Sequence, residues 1–167
     1  LPLLLSLNAQ IVLQDLKKTK VIFIDNFFIN YRKTKLKKGQ FIHSIRIPIY
    51  KNNKFKAYKV SKRFDDDISS VCGAFNLKII KNKVENARIA YGGMASTAKR
   101  AFACEKILLN SLITDVLIYK AQDALEKDFA PISDMRASGS YRMEIAKNLL
   151  KKCFEEINQK KVIGIYE

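Results

Sequence analysis

The stretch that decides the fold is VCGAFNLKIIKNKVENARIAYGG, residues 71–93. Residues 71–80 and 87–91 are rich in apolar and β-branched side chains, and both segments predict β-strands. Residues 82–83 are polar and interrupt the pattern between them, which is typical of a hairpin turn. Residues 55–64 also predict a strand, so the three segments together predict a small antiparallel sheet.

After the glycine pair that ends this stretch, the period of the apolar residues becomes helical. Helices are predicted over residues 97–110, 114–127 and 140–158, with Thr114 and Ser140 as N-caps. Strands followed by helices predict an α+β domain, a small antiparallel sheet packed with about three helices. The clearest helical stripe consists of Ala146, Leu149, Leu150, Cys153, Phe154 and Ile157.

The first third of the chain predicts strands of another unit. Residues 10–13 and 20–24 are short apolar stretches, and residues 40–50 alternate apolar and polar side chains with the period of a half-buried strand. Pro48 cannot donate to a ladder, so this strand ends near it or lies at an edge. The leading apolar run has no basic residue before it and is not typical of a signal peptide.

A polar Lys and Asn connector at residues 51–54 is the best internal boundary. We therefore expect residues 1–52 to be the C-terminal remnant of an α+β domain that begins upstream. Residues 53–160 are expected to form the sheet-and-helix domain, and residues 161–167 a tail.

Composition and charge exclude some classes of function. The chain is 48% hydrophobic and 28% charged, and none of its apolar runs approaches the roughly 18 residues of a membrane helix. The formal charge of +15 would attract a polyanion, but the lysines are spread along the chain without a nucleic-acid-binding motif. We therefore expect no nucleic-acid binding. Two alternatives to an enzyme segment stay open: a basic module that binds nucleic acid, and a domain that serves only folding and subunit docking.

Residues with catalytic or metal-binding chemistry are sparse. The single histidine, His43, is predicted to be a core or rim residue of its strand. Cys72, Cys104 and Cys153 are too widely spaced for a metal or redox pair, and we expect reduced thiols in the cytoplasm. No metal site and no nucleophile or general base are predicted.

Two further motifs have a structural and a functional interpretation. The acidic triplet at residues 65–67 is predicted to cap the segment 68–71, with one Asp turned toward a bound ligand. Gly92 and Gly93 predict a tight turn, or a surface against which a cofactor or partner lies.

Six blocks spread over almost the whole chain carry a family resemblance. They are FFINYRKT (27–34), IRIP (45–48), KVSKRFDDDI (59–68), ARIAYGGMA (87–95), TAKRA (97–101) and SDMRAS (133–138), the last followed by Tyr141 and Arg142. In order and spacing they resemble the small, flavin-carrying subunit of xanthine dehydrogenases, in the molybdenum hydroxylase family. The resemblance implies the end of an FAD-binding domain, then a domain like the C-terminal domain of the carbon monoxide dehydrogenase flavoprotein.

The resemblance also implies cofactors and partners. FAD would bind in the intact subunit, whereas iron–sulfur clusters and the molybdenum cofactor would lie in other domains or subunits of a hetero-oligomer. Electrons would pass through FAD to NAD during purine oxidation. The substrate, xanthine or another heterocycle, and the acceptor, NAD or oxygen, stay open. The family's pyrophosphate-binding segments would precede Leu1, so we expect this chain alone to be colourless.

Two flavin contacts follow from the resemblance. One is Ile42, six positions before Pro48, and the strand period puts it on a face away from the core with Ser44 and Arg46. The other is Lys59, whose ammonium group would reach the carbonyl edge of the flavin.

Lys59 shares its strand face with Phe55 and Ala57. Lower-ranked candidates for the flavin or nicotinamide site are Arg63, Asp66, Tyr31 and Lys33.

Overall fold

The computed structural model describes residues 1–63 and 67–159. Its architecture is α+β, as predicted, with antiparallel sheets and the helices grouped mainly after them. In chain order the elements are α1 (Pro2–Ser6), β1 (Gln10–Gln14), β2 (Thr19–Phe23), a 3₁₀ turn (Ile24–Asn26), β3 (Phe28–Asn30), β4 (Lys33–Thr34), β5 (Phe41–Arg46), β6 (Lys54–Val60), β7 (Val71–Ile80), β8 (Lys83–Gly92), β9 (Lys99–Arg100), α2 (Phe102–Leu108), α3 (Asp115–Asp128) and α4 (Gly139–Gln159).

A three-stranded antiparallel sheet occupies the first part of the chain, in the order β2-β1-β5. The strands predicted at residues 10–13, 20–24 and 40–50 are all present. β5 ends at Arg46, just before Pro48, as the missing N–H of proline requires. The central strand β1 is the buried one, and its neighbours are largely exposed.

The larger sheet is antiparallel with the order β6-β7-β8-β9. Helices α2, α3 and α4 cover one of its faces, and the core between them contains side chains such as Phe75, Ile89, Leu125 and Phe154. Tyr91 is fully buried in this core, and its hydroxyl donates to the carbonyl oxygen of Ala146 at 2.9 Å. The predicted sheet packed with three helices is therefore confirmed.

The hairpin between β7 and β8 turns one residue earlier than predicted. Lys81 and Asn82 both have positive φ, 48° and 60°, which is the backbone of a type I′ turn. Because this two-residue turn matches the twist of the strands, β8 begins at Lys83 and is longer than the predicted segment 87–91.

The helix predicted over residues 97–110 is shorter. Lys99 and Arg100 form β9 beside β8, and the Ala101 N–H donates to the Ile89 carbonyl oxygen at 2.8 Å. Sheet pairing thus replaces the first helical turn, and α2 begins at Phe102.

The N-caps of the other two helices were predicted with mixed success. Thr114 caps α3, accepting the Leu117 N–H at 3.2 Å, as predicted. At α4, Ser138 and not Ser140 accepts a first-turn amide, the Tyr141 N–H at 3.2 Å. The prediction of Ser140 was wrong because the helix begins one residue before it.

Helix α1 lies between the two sheets. Its Leu5 packs in one cluster with Ile11 and Leu13 of β1 and with Ala90 of β8. On the four-stranded sheet, the Asn76 amide donates to the Ser6 carbonyl oxygen at 3.1 Å. The face of that sheet opposite α2–α4 is therefore the face that α1 contacts.

Candidate functional site

Lys59 lies on the edge strand of the larger sheet, on the face that α1 contacts. β6 places Lys56, Tyr58 and Val60 toward the helices, where the Tyr58 hydroxyl donates to Glu156 at 2.9 Å. The alternate positions, Lys59 among them, are exposed. The predicted sharing of a face with Phe55 and Ala57 is thus confirmed.

The N-terminal end of α1 lies near Lys59. Cys72 of β7 is paired with Lys59 on one side and with Gly92 on the other. Burial is the larger effect and raises the pKa of Cys72, while the positive charge of Lys59 partly offsets it. Gly92 brings β8 close to the same helix end, since a Cβ there would lie 3.0 Å from Pro2 Cγ.

Ile42 lies on a different face of its strand from the one predicted. β5 pairs Ser44 with Val12 but Ile42 with Leu13, so the register shifts by one residue between them. This bulge breaks the alternation that placed Ile42 with Ser44 and Arg46, and that prediction was wrong. Ile42 shares the face of Leu13, which packs toward α1. Its side chain is still 46% exposed because β5 is at the edge of the sheet.

His43 is the extra residue of the bulge. Its ring is exposed, and Nδ1 lies 3.1 Å from Ser44 Oγ. The core position was wrong because the strict alternation of the strand ends here, whereas an exposed place on the edge strand agrees with the rim alternative.

The connection from β6 to β7 carries the lower-ranked candidates. Arg63 is exposed and forms an ion pair with Asp67 at 3.5 Å, and its N–H donates to the same carboxylate at 3.2 Å. Asp67 also accepts the Ile68 N–H at 2.8 Å. No helix follows at residues 67–70, so the predicted helix cap is wrong for Asp67, whose carboxylate accepts the N–H groups of Arg63 and Ile68 instead. Asp66 lies outside the described residues.

A buried arginine that the sequence reasoning missed secures this connection. Arg142 of α4 donates to the carbonyl oxygens of Ser70 and Gly93, and to Asp134 at 2.7 Å. It joins three separate segments, although its Nε has no partner within the described residues. The segment SDMRASGSYR was noted only for its family resemblance. The presence of Asp134 eight residues before Arg142 could have indicated an ion pair.

Gly93 forms the tight turn that was predicted from the pair of glycines. Its φ is +82°, and a Cβ there would lie 2.1 Å from the Ser70 carbonyl oxygen. Only glycine fits beside the end of β8.

Tyr31 and Lys33 lie in the small hairpin formed by β3 and β4. The Tyr31 ring is exposed, and the Arg32 guanidinium lies 5.3 Å from its centroid. None of the described His, Cys, Asp and Glu side chains form a group of three or more that could hold a metal ion.

The fold is α+β, and comparison with known proteins identifies its family. Residues 56–157 match the family of CO dehydrogenase flavoprotein C-terminal domains, and residues 1–50 match the FAD-binding domain of molybdopterin dehydrogenases. The chain therefore belongs to the FAD-binding subunits and domains of the molybdenum hydroxylase family, which confirms the resemblance seen in the sequence.

Individual relatives support this assignment. The glyceraldehyde dehydrogenase medium chain of Sulfolobus acidocaldarius is 31% identical over 155 residues, which cover 92% of this chain and 54% of that protein. Xanthine dehydrogenase of Emericella nidulans is 35% identical over 132 residues, covering 77% of this chain and 10% of that protein.

Among solved structures, carbon monoxide dehydrogenase from Hydrogenophaga pseudoflava superposes with a TM-score of 0.86 at 26% identity. The match covers 92% of this chain and 54% of the matched one. The chain thus spans about half the length of the medium chains it matches.

Proposed function

We propose that this chain forms one wall of the FAD site in an oxidoreductase of the molybdenum hydroxylase type. The observation that carries the proposal is the position of Lys59 on an exposed edge-strand face, beside the N-terminal end of α1. Ile42 lies on the three-stranded sheet, on the face whose Leu13 packs against α1. The flavin ring would lie between these two side chains.

The chemistry of these side chains fits a flavin. An isoalloxazine ring has flat apolar faces and a carbonyl edge that carries the negative charge of the reduced state. The exposed Ile42 offers an apolar surface, and Lys59 offers an ammonium donor on a stem that packs along the sheet. Arg63 is proposed to lie near the same edge of the ring.

When bound, FAD supplies the transfer of electrons from iron–sulfur clusters to an acceptor, which we propose is NAD. The task of this chain's residues is to bind and orient the ring and to exclude water from its face. None of them is proposed to act as a nucleophile or general base.

The proposal is tested in the complete subunit by the change Lys59→Ala. Removing a charge-assisted hydrogen bond is expected to weaken FAD binding by about tenfold or more, measured by flavin fluorescence titration. The matched control is Lys54→Ala, which removes the same charge from the other face of β6, and should leave FAD affinity unchanged. Equal affinity of Lys59→Ala and the unmutated subunit would remove Lys59 from the site.

We further propose that the partner is a molybdenum-cofactor-binding subunit and that the oxidised substrate is a purine. The similarity to a xanthine dehydrogenase supports this choice. In the assembled enzyme, xanthine should then drive formation of NADH. Use of oxygen but not NAD as the electron acceptor, or oxidation of another heterocycle but not xanthine, would contradict the proposal.

We propose a cytoplasmic location on the basis of the thiols. Cys72, Cys104 and Cys153 are all free, as expected in a reducing compartment. None of the helices in residues 1–63 and 67–159 combines the length and apolar character needed to cross a bilayer.

A further inference from the structure

Asp25 connects the two parts of the chain that match separate families. It lies in the 3₁₀ turn after β2, and its Oδ2 accepts from Arg88 Nη2 of β8 at 2.9 Å. The same oxygen lies 3.8 Å from Arg100 Nη1 of β9. One carboxylate from the first segment thus contacts two guanidinium groups of the second.

Both arginines are held by further contacts. Arg88 also donates through Nε and Nη2 to the Leu5 carbonyl oxygen of α1, at 3.3 and 2.9 Å. Arg100 forms a bidentate pair with Glu105, at 3.0 and 2.5 Å. Each arginine side chain is only 16% exposed, so neither can turn freely to another partner.

Glu105 completes the network from inside the larger domain. It is buried, and one of its oxygens accepts the Ile89 N–H of β8 at 2.7 Å. The network therefore begins at the edge of the three-stranded sheet and ends in the backbone of the four-stranded sheet, with α1 between them.

The proposed flavin contacts lie on these two sheets, Ile42 on one and Lys59 on the other. We propose that Asp25 is a positioning residue for the flavin: by pairing with Arg88 and Arg100 it fixes how far apart the Ile42 and Lys59 faces lie. Without the carboxylate, two like charges meet with only Glu105 to offset them, and the sheets shift around α1. This inference rests on the proposed FAD site.

The test is a double-mutant cycle in the complete subunit, with FAD affinity and the visible flavin spectrum as readouts. Asp25→Asn keeps the shape of the side chain and removes its charge, and is expected to weaken FAD binding about five- to tenfold and to shift the flavin absorbance maxima. In the Lys59→Ala background, Asp25→Asn should weaken FAD binding by less than about twofold, because the Lys59 contact that it would displace is already absent.

Two controls separate positioning from loss of stability. Glu85→Gln breaks the Lys78 to Glu85 pair of 2.8 Å on the same sheet, and should leave FAD affinity and spectrum unchanged. Leu149→Ala removes core packing on the far face and should lower the unfolding midpoint without changing FAD affinity of the folded protein.

If Asp25→Asn does not fold, Arg88→Lys replaces it. This variant keeps the charge but cannot contact Asp25 and Leu5 together, so it should show the same dependence on Lys59. Unchanged FAD binding and spectrum in the Asp25 or Arg88 variant, or full additivity with Lys59→Ala, would overturn the inference while the FAD site stands. Absence of FAD binding by the unmutated subunit would overturn the proposed function itself.

Discussion

Gly93, which follows β8, has a backbone conformation and a close contact that both disfavour a side chain. Its positive φ costs an L-residue about 1–2 kcal/mol, and the Cβ clash with the Ser70 carbonyl is added to that. We expect Gly93→Ala to lower the free energy of unfolding by about 4 kcal/mol or more, measured by urea denaturation.

Gly39 provides the matched control for this substitution. It has nearly the same φ, +81°, but a Cβ there meets no atom within 4 Å. Gly39→Ala should therefore lower the free energy of unfolding only by the cost of the positive φ, about 1–2 kcal/mol. Equal losses in the two variants would show that the Ser70 contact is unimportant.

Asp134 makes stability dependent on acid pH. The N–H of Arg136, the Arg142 guanidinium and the N–H of Ala137 hold the pKa of its carboxyl below the ordinary value of 3.8. A lowered pKa means that the stabilisation is present above 3.8 and is lost as the pH falls through the folded-state value.

The variant Asp134→Asn should thus be less stable than the unmutated protein at neutral pH, and the difference should shrink as the pH falls below 3.8. Thermal unfolding over a pH series measures it. Asp123→Asn, at an 81% exposed carboxylate, is the control and should show no such change. A constant difference at every pH would contradict the assignment.

At the scale of elements, α2 depends on a cap from another helix. Its own N-cap position is Ala101, which has no side-chain acceptor. Asp128, the last residue of α3, accepts the N–H groups of Ala103 and Cys104 at 2.8 and 3.0 Å. Asp128→Ala should lower the free energy of unfolding by about 1–2 kcal/mol, as measured by denaturation.

Two comparisons check this capping role. Asp128→Asn keeps one acceptor oxygen and should cost less than the alanine variant. Thr114→Ala removes the local cap of α3 and should cost about 1 kcal/mol. If Asp128→Ala is no more destabilising than Asp128→Asn, the carboxylate does not cap α2.

Local patterns predicted most elements, and contacts distant in sequence account for the differences. The strand Val71–Ile80 and the helix after Thr114 follow from periodicity and a local cap. The shortened α2 does not, because β9 pairs with a strand that only the folded chain brings alongside. The bulge that places Ile42 on the other face of β5 likewise depends on pairing with β1, and the period of β5 alone does not indicate it.

At the scale of the whole molecule, the three thiols report on the integrity of the fold. Cys104 and Cys153 are fully buried, and burial is the main effect that raises the pKa of each. Cys72 is partly exposed. Iodoacetamide should therefore label Cys72 in the folded protein and the other two only together with unfolding.

Peptide mass spectrometry along a urea series measures this labelling, and Cys72→Ser should abolish the reaction in the folded state. Labelling of Cys104 or Cys153 without loss of structure would show that the sheet and helices separate independently. The experiment thus tests whether the larger domain unfolds as one unit.

The candidate site was predictable from sequence only by family resemblance. Its residues, Ile42, Lys59 and Arg63, come from three segments, and nothing in their spacing indicates that the first two lie on sheets that face the same helix. The Asp25 network was not foreseen for the same reason: its members are far apart in sequence and ordinary in their surroundings.

The outer edge of β5 has a consequence for handling the protein. Within the described ranges β5 has a strand neighbour on one side only, and it exposes Phe41, Ile45 and the following Ile47. Unpaired backbone groups beside apolar side chains are a template for strands of other molecules. Purified without a covering partner, this chain should aggregate with rising concentration, visible as light scattering, and Ile45→Lys should delay it.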